Sequence, residues 1–324
     1  MRFFVICCLV IVLLIPASKP VNSLTTLSSA FERSPASQPI APAPPQLDNQ
    51  ANPVRFAVIG DYGESGSDEA AVADLVKSWN PDFIITTGDN NYPDGTADTI
   101  DENIGQYYHD FIYPYGSTTN RFFPSLGNHD WHTPGALPYL NYFALPGNER
   151  YYDFVWGPVH LFALDSDSNE PDGISSSSTQ ATWLQGKLAA STSCWQLVYF
   201  HHPPFSSGAN HGSTPVMQWP FQTWGVDGVL SGHDHAYERI VLGDFPYFVN
   251  GLGGKSKYDF EMQPVAGSQV RYNADFGAML ITATSTALTY QFIAIDGTIV
   301  DTYSQTGSCL EMPYHLYLPI ILKQ

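Results

Sequence analysis

The sequence predicts a mixed α/β sandwich in which several strands end in polar loops on one edge. Three observations predict it. Apolar strand-like runs alternate with helical patterns from Val54 onward; several of these runs end in Gly-plus-polar loops; and after Phe276 the pattern becomes β only. Chain length and composition agree. The 324 residues are 44% hydrophobic, enough to bury a sizeable core.

The elements follow in order. Val54–Ile59 (VRFAVI) reads as a buried strand stopped by Gly60. Asp68–Trp79 carries Val72, Leu75, Val76 and Trp79 at helical spacing, with Ser67 as the expected N-cap and Asn80-Pro81 as the stop. Phe83–Thr87 is the next strand, then Val159–Leu164, a helix over Thr179–Ala190, and strands over Gln196–Phe200 and Val226–Leu230. The run AMLITATSTALTYQFIAIDGTIVDTY closes the pattern, with Asp296-Gly297 as a hairpin turn. In open α/β sheets, sites gather at the carboxyl ends of the strands.

The termini differ from this core. Residues 1–23 have Arg2, an apolar stretch from Phe3 to Ile15 and then small and polar residues, the pattern of a signal peptide on a secreted, extracytoplasmic protein. Residues 24–52 are rich in Pro, Ala, Ser and Gln and read as a linker. The domain is expected over 53–306 and a tail over 307–324; the tail's apolar end is too short to cross a bilayer, so packing and sorting both stay open. Outside the leader the cysteines are Cys194 and Cys309, whose pairing an exported chain permits and the sequence leaves open.

The formal charge is −18, with 13 Lys plus Arg against 31 Asp plus Glu. Nucleic acid and anionic membrane surfaces are therefore not expected partners, since both require a basic footprint. An anionic substrate must be attracted locally, against the overall field.

Five loops place metal-ligand residue types after apolar runs: GDYG (60–63), GDNNY (88–92), GNHD (127–130), VYFHH (198–202) and GHDH (232–235). Singly, each reads as an ordinary turn or a packed histidine. Together they supply carboxylates, an amide oxygen, imidazoles and one phenol on successive strand ends. Such a set suits two metal ions better than one, with a carboxylate shared between them.

The five stretches, in this order, resemble the motif set of the calcineurin-like metallophosphoesterases, and specifically the purple acid phosphatases of tartrate-resistant type. FFPSLGNHDW, GHDHAYER and FVNGLGG add to the resemblance, which runs from about Val54 to Tyr303. Most of the superfamily has a histidine two residues after the first motif aspartate. Here that position is Gly63, and purple acid phosphatases lack the histidine too. They carry a tyrosine three residues after the bridging aspartate, which Tyr92 matches.

The resemblance implies a four-layer αββα sandwich of two mixed sheets. It also implies a metal set in which Asp61, Tyr92 and His235 hold one ion, Asn128, His201 and His233 hold the other, and Asp89 bridges. The phenolate and carboxylates suit Fe³⁺; the amide oxygen and imidazoles suit a divalent ion such as Zn²⁺, Mn²⁺ or Fe²⁺. His201 is preferred to His202 because it fits V-x-x-H-x-P; a continuing strand would turn His202 to the opposite face.

His129 and His211 are the implied catalytic histidines, binding substrate together with Asn128. Tyr237 and Arg239 are expected to be structural, with Arg239 bracing the metal loops. The implied reaction is hydrolysis of small phosphomonoesters by a metal-bound hydroxide at mildly acid pH. Two alternatives stay open: a phosphodiesterase, nucleotidase or pyrophosphatase at the same site, and a non-catalytic secreted metal-binding module.

Overall fold

The computed structural model describes residues 53–307. The expected signal peptide, the linker, Cys309 and all of the tail beyond Gly307 lie outside the described residues.

Thirteen strands are described: β1 Val54–Ile59, β2 Phe83–Thr86, β3 Phe122–Pro124, β4 Tyr152–Trp156, β5 Val159–Ala163, β6 Trp195–Tyr199, β7 Gly228–Ser231, β8 Tyr237–Leu242, β9 Phe245–Asn250, β10 Ser268–Tyr272, β11 Gly277–Ala283, β12 Ala287–Ala294 and β13 Ile299–Thr306. They form a six-stranded sheet ordered β13-β12-β11-β1-β2-β3 and a seven-stranded sheet ordered β10-β8-β9-β7-β6-β5-β4. Both are mixed. β1, β2 and β3 run parallel, and β11 joins β1 antiparallel. In the second sheet β5, β6, β7 and β9 are parallel, with β4 and β8 antiparallel beside them.

The two sheets bury their inner faces against each other. Phe123 of β3 stacks on Phe154 of β4 at 3.8 Å between ring centroids, and Phe83 of β2 lies 4.9 Å from Trp156. The period-2 geometry of a strand sorts the rest. In β6, Leu197 and Tyr199 join this inner core. Val198 faces the other way, into a second core with Leu184 and Leu188 of the helix Thr179–Ala190. That helix has the expected bounds, and the Ser178 side chain caps it by accepting from the backbone N–H of Ala181.

The other long helix begins one residue earlier than expected, at Ser67. Its N-cap is Gly66, so Ser67 is not the cap: it lies inside the first turn, with its hydroxyl near Asp68. Asn80, in the left-handed region at φ 49°, ends the segment as expected. Most strand bounds shift by one or two residues. The hairpin at Asp296-Gly297 joins β12 and β13, with Gly297 at φ 87°.

Arg239 is structural, but not as a brace for the metal loops. Its guanidinium donates to both carboxylate oxygens of Asp301, at 2.7 and 3.1 Å, and the Tyr237 hydroxyl donates to the same carboxylate at 2.8 Å. The contact ties β8 of one sheet to β13 of the other. Removing one partner of such a largely buried pair strands the other charge. Asp301→Ala is therefore expected to lower stability by about 3 kcal/mol, read as a lower urea midpoint; an unchanged midpoint would contradict the brace.

Candidate metal centre

The five polar loops all leave the carboxyl ends of parallel strands. β1 leads to Asp61, β2 to Asp89 and Tyr92, β3 to Asn128 and His129, β6 to His201, and β7 to His233 and His235. Three loops come from one sheet and two from the other, so the site lies across the edge of the sandwich. Backbone contacts lock the loops together. The His233 N–H donates to Asp61 Oδ2 at 2.9 Å, and the His129 N–H donates to Asp89 Oδ1 at 2.9 Å.

Asn90 and Asp130 staple two loops. Asp130 Oδ2 accepts from the Gly127 N–H at 2.9 Å and from the Asn90 side chain at 2.8 Å. Asn90 also donates to the Ser125 carbonyl and accepts from Thr86 and Tyr62. Burial pushes the Asp130 carboxyl up to about 7, and the neighbouring Asp89 adds to the shift.

Two glycines are fixed by close approach. A Cβ on Gly63 would lie 1.8 Å from the Asn90 carbonyl oxygen, so this chain has no room for a histidine there. A Cβ on Gly127 would lie 2.2 Å from Asp89 Oδ1.

The side chains converge as two sets. In the first, the Tyr92 hydroxyl lies 2.9 Å from Asp89 Oδ2, 3.4 Å from Asp61 Oδ1 and 3.2 Å from His235 Nε2. In the second, His201 Nε2 lies 3.0 Å from Asn128 Oδ1, 3.0 Å from His233 Nδ1 and 3.4 Å from Asp89 Oδ2. Asp89 Oδ2 is common to both. Asp61, Asp89 and His233 also hold positive φ, at 55°, 51° and 70°. Left-handed backbone is unfavourable for residues bearing a Cβ, and it concentrates where a site requires a particular side-chain direction.

The donor chemistry fits multivalent cations. His201 Nδ1 faces the Thr87 carbonyl at 2.9 Å; a carbonyl only accepts, so the proton sits on Nδ1 and Nε2 presents a lone pair. That lone pair faces two acceptor oxygens. On the other side, phenol oxygen, carboxylates and imidazole crowd one point. Burial, then the negative charges of Asp89 and Asp61, push the Tyr92 phenol well above its ordinary range. Burial also opposes ionisation of Asp89, but the His201 and His129 imidazoles outweigh it and hold the carboxyl far below its usual range. A bound cation favours the anionic form of both groups.

His129 and His211 flank this cluster. His129 packs on Tyr92 with ring centroids 4.3 Å apart; its Nδ1 bonds to the Pro93 carbonyl at 2.5 Å, and its Nε2 is 4.0 Å from Asp89. His211 stacks on His233 at 3.9 Å and is exposed.

His202 does not turn to the opposite face. β6 stops at Tyr199, so strand alternation no longer governs His202, and one of its ring nitrogens lies within 4.8 Å of nitrogens of His201 and His233.

Sequence reasoning missed the residues that hold these groups. Asp234, between the two GHDH histidines, pins the loop of His211: it accepts from Ser206 at 2.5 Å, from the His211 N–H at 3.2 Å and from the Gly212 N–H at 3.0 Å. Ser256 bonds His235 Nδ1 at 2.6 Å, and Tyr258 stacks on the His235 ring at 4.0 Å. Only the position of Asp234 inside a ligand motif could have signalled any of them.

Metal removal tests the cluster. Dialysis against a chelator is expected to lower Tm by on the order of 10 °C, and added multivalent metal ions to restore it, as for any ligand bound only by the native state. Asp89→Asn should abolish that response. A Tm indifferent to both chelator and metal would contradict the assignment.

Comparison with known proteins places the chain in a family. The model of the calcineurin-like phosphoesterase family matches residues 54–237. The chain is 26% identical over 233 residues to human tartrate-resistant acid phosphatase type 5, across 60% of this chain and 71% of the relative. It is 27% identical over 241 residues to purple acid phosphatase 17 of Arabidopsis thaliana, across 63% and 69%. Among solved structures, the purple acid phosphatase PPD1 from yellow lupin shares the fold at a TM-score of 0.66 and 17% identity, across 83% of this chain and 55% of that one. So does GAP50, the anchor in the inner membrane complex of Plasmodium, at a TM-score of 0.64 and 19% identity, across 79% and 89%. The chain belongs to the calcineurin-like phosphoesterase family, with purple acid phosphatases among its relatives, and is a phosphoester hydrolase.

Proposed function

We propose that the chain is a secreted acid phosphatase hydrolysing small phosphomonoesters at a dinuclear centre. Asp61, Tyr92, His235 and the shared Asp89 would hold Fe³⁺. Asn128, His201, His233 and Asp89 would hold a divalent ion, Zn²⁺, Mn²⁺ or Fe²⁺. The observation that carries this reading is Asp89 Oδ2, within 3.4 Å of both the Tyr92 hydroxyl and His201 Nε2. One carboxylate oxygen serves two donor sets, one with a phenol and one built on amide and imidazole. That asymmetry suits a hard trivalent ion beside a borderline divalent one.

When bound, the cation pair supplies Lewis acidity that activates water and neutralises phosphoryl charge. The chain's own residues do the rest. Asp89 is held in place by the His129 N–H, so the loop carrying one catalytic histidine also fixes the shared carboxylate. His129 Nδ1–H is committed to the Pro93 carbonyl, so only the imidazolium form also carries a proton on Nε2, and that proton is the one given to the departing ester oxygen. An imidazolium donor favours mildly acid pH. His211, on the loop tied down by Asp234, would orient the phosphoryl oxygens together with Asn128.

Secretion is supported by the leader pattern in residues 1–23 and by Cys194, which is disulfide-bonded, a state that persists in oxidising compartments. Among the described residues no helix is long and apolar enough to cross a membrane.

His129→Ala is expected to lower kcat for an aryl phosphate by roughly 10²–10⁴ with both metal ions retained. Unchanged turnover would remove His129 from the mechanism. In a panel of monoesters, diesters and pyrophosphate, the monoesters should give the highest kcat/KM; preference for diesters or pyrophosphate would overturn the substrate assignment.

A further inference from the structure

We propose that His202 is a substrate-contacting residue, donating a hydrogen bond from Nε2–H to an oxygen of the phosphoryl group. The inference rests on the phosphatase reading above and assigns a further residue of that same site.

Placement comes first. The His202 ring lies 4.9 Å from that of His201 and 4.4 Å from that of His233, on the rim of the second donor set. His201 is wholly buried, whereas His202 keeps part of its surface open.

The partners of the two neighbouring imidazoles then sort them by chemistry. The carbonyl facing His201 Nδ1 can only accept, which leaves a lone pair on His201 Nε2. His202 Nδ1 faces a hydroxyl instead, Ser166 Oγ, at 2.9 Å. That oxygen already accepts the His202 backbone N–H at 2.9 Å. Ser166 is buried, and among the described residues its hydroxyl has no hydrogen-bond partner besides these two His202 nitrogens. A buried hydroxyl proton left without an acceptor is costly, and His202 Nδ1 is the acceptor within reach. Ser166 therefore donates to Nδ1, and the ring proton of His202 sits on Nε2.

An imidazole in that tautomer has no free lone pair for a metal ion. It is a neutral donor instead, beside a centre built to receive an anion. The histidine pair thus divides the work: His201 toward metal, His202 toward phosphate oxygen.

The test measures inorganic phosphate binding by calorimetry and metal content by elemental analysis, on metal-loaded full-length protein. His202→Ala is expected to weaken phosphate about ten-fold or more, as for a lost hydrogen bond to a charged group, with two ions still bound. His202→Gln, whose amide nitrogen can occupy the Nε2 position, should recover most of the affinity; His202→Asn, whose amide reaches only the Nδ1 position, should not. Ser166→Ala should weaken phosphate without loss of metal. If His202→Ala fails to fold, the Gln and Asn variants decide. Loss of one ion in any His202 variant would make it a ligand and overturn the proposal. So would phosphate affinity equal to wild type in the Ala variant, or equal between the Gln and Asn variants. Loaded wild type that binds no phosphate would overturn the phosphatase reading itself.

Discussion

The structure is organised around a single carboxylate oxygen. Asp89 Oδ2 sits between a phenol and an imidazole, so neither donor set is complete without it. Burying so many lone pairs at one point is unfavourable unless positive charge is placed among them. The surroundings reflect that demand. Asp89, Asp61 and His201 are almost fully buried, and the backbone N–H groups of His129 and His233 hold the two carboxylates in place.

The sandwich makes the convergence possible. Parallel strands present their carboxyl ends on one edge, and stacking two such sheets brings loops from both to one place. The aromatic contacts between β2, β3 and β4 set the spacing of the sheets, and hence the reach of His201 and His233 toward the loops of the first sheet. Left-handed backbone at Asp61, Asp89 and His233 turns those side chains inward. Such strain persists because the cross-loop hydrogen bonds, with Asn90 and Asp130 at their centre, over-determine the loops.

Much of this was legible in the sequence. The helix Thr179–Ala190 follows a serine cap, and β12 and β13 are joined by Asp-Gly, so local chemistry marks them. The donors in the five loops were legible because each follows an apolar run. What local chemistry does not encode was not. Ser67 looks like a cap, yet Gly66 takes the position with extended backbone. Arg239 lies near the histidine motif, yet its partner Asp301 is 62 positions away on the other sheet. The roles of Asp234, Ser166 and Ser256 depend wholly on what packs against them. Strand alternation misplaced His202 because β6 ends sooner than its apolar run suggests.

If Asp89 joins two cations and Tyr92 binds only one of them, anomalous diffraction from crystals of the metal-loaded protein, collected on both sides of the iron absorption edge, will reveal it. The expected result is two peaks about 3.5–4 Å apart with the Asp89 carboxylate between them, and the Tyr92 oxygen on the peak that responds to the iron edge. A single peak, or two peaks with Tyr92 turned away from both, would rule out the shared carboxylate.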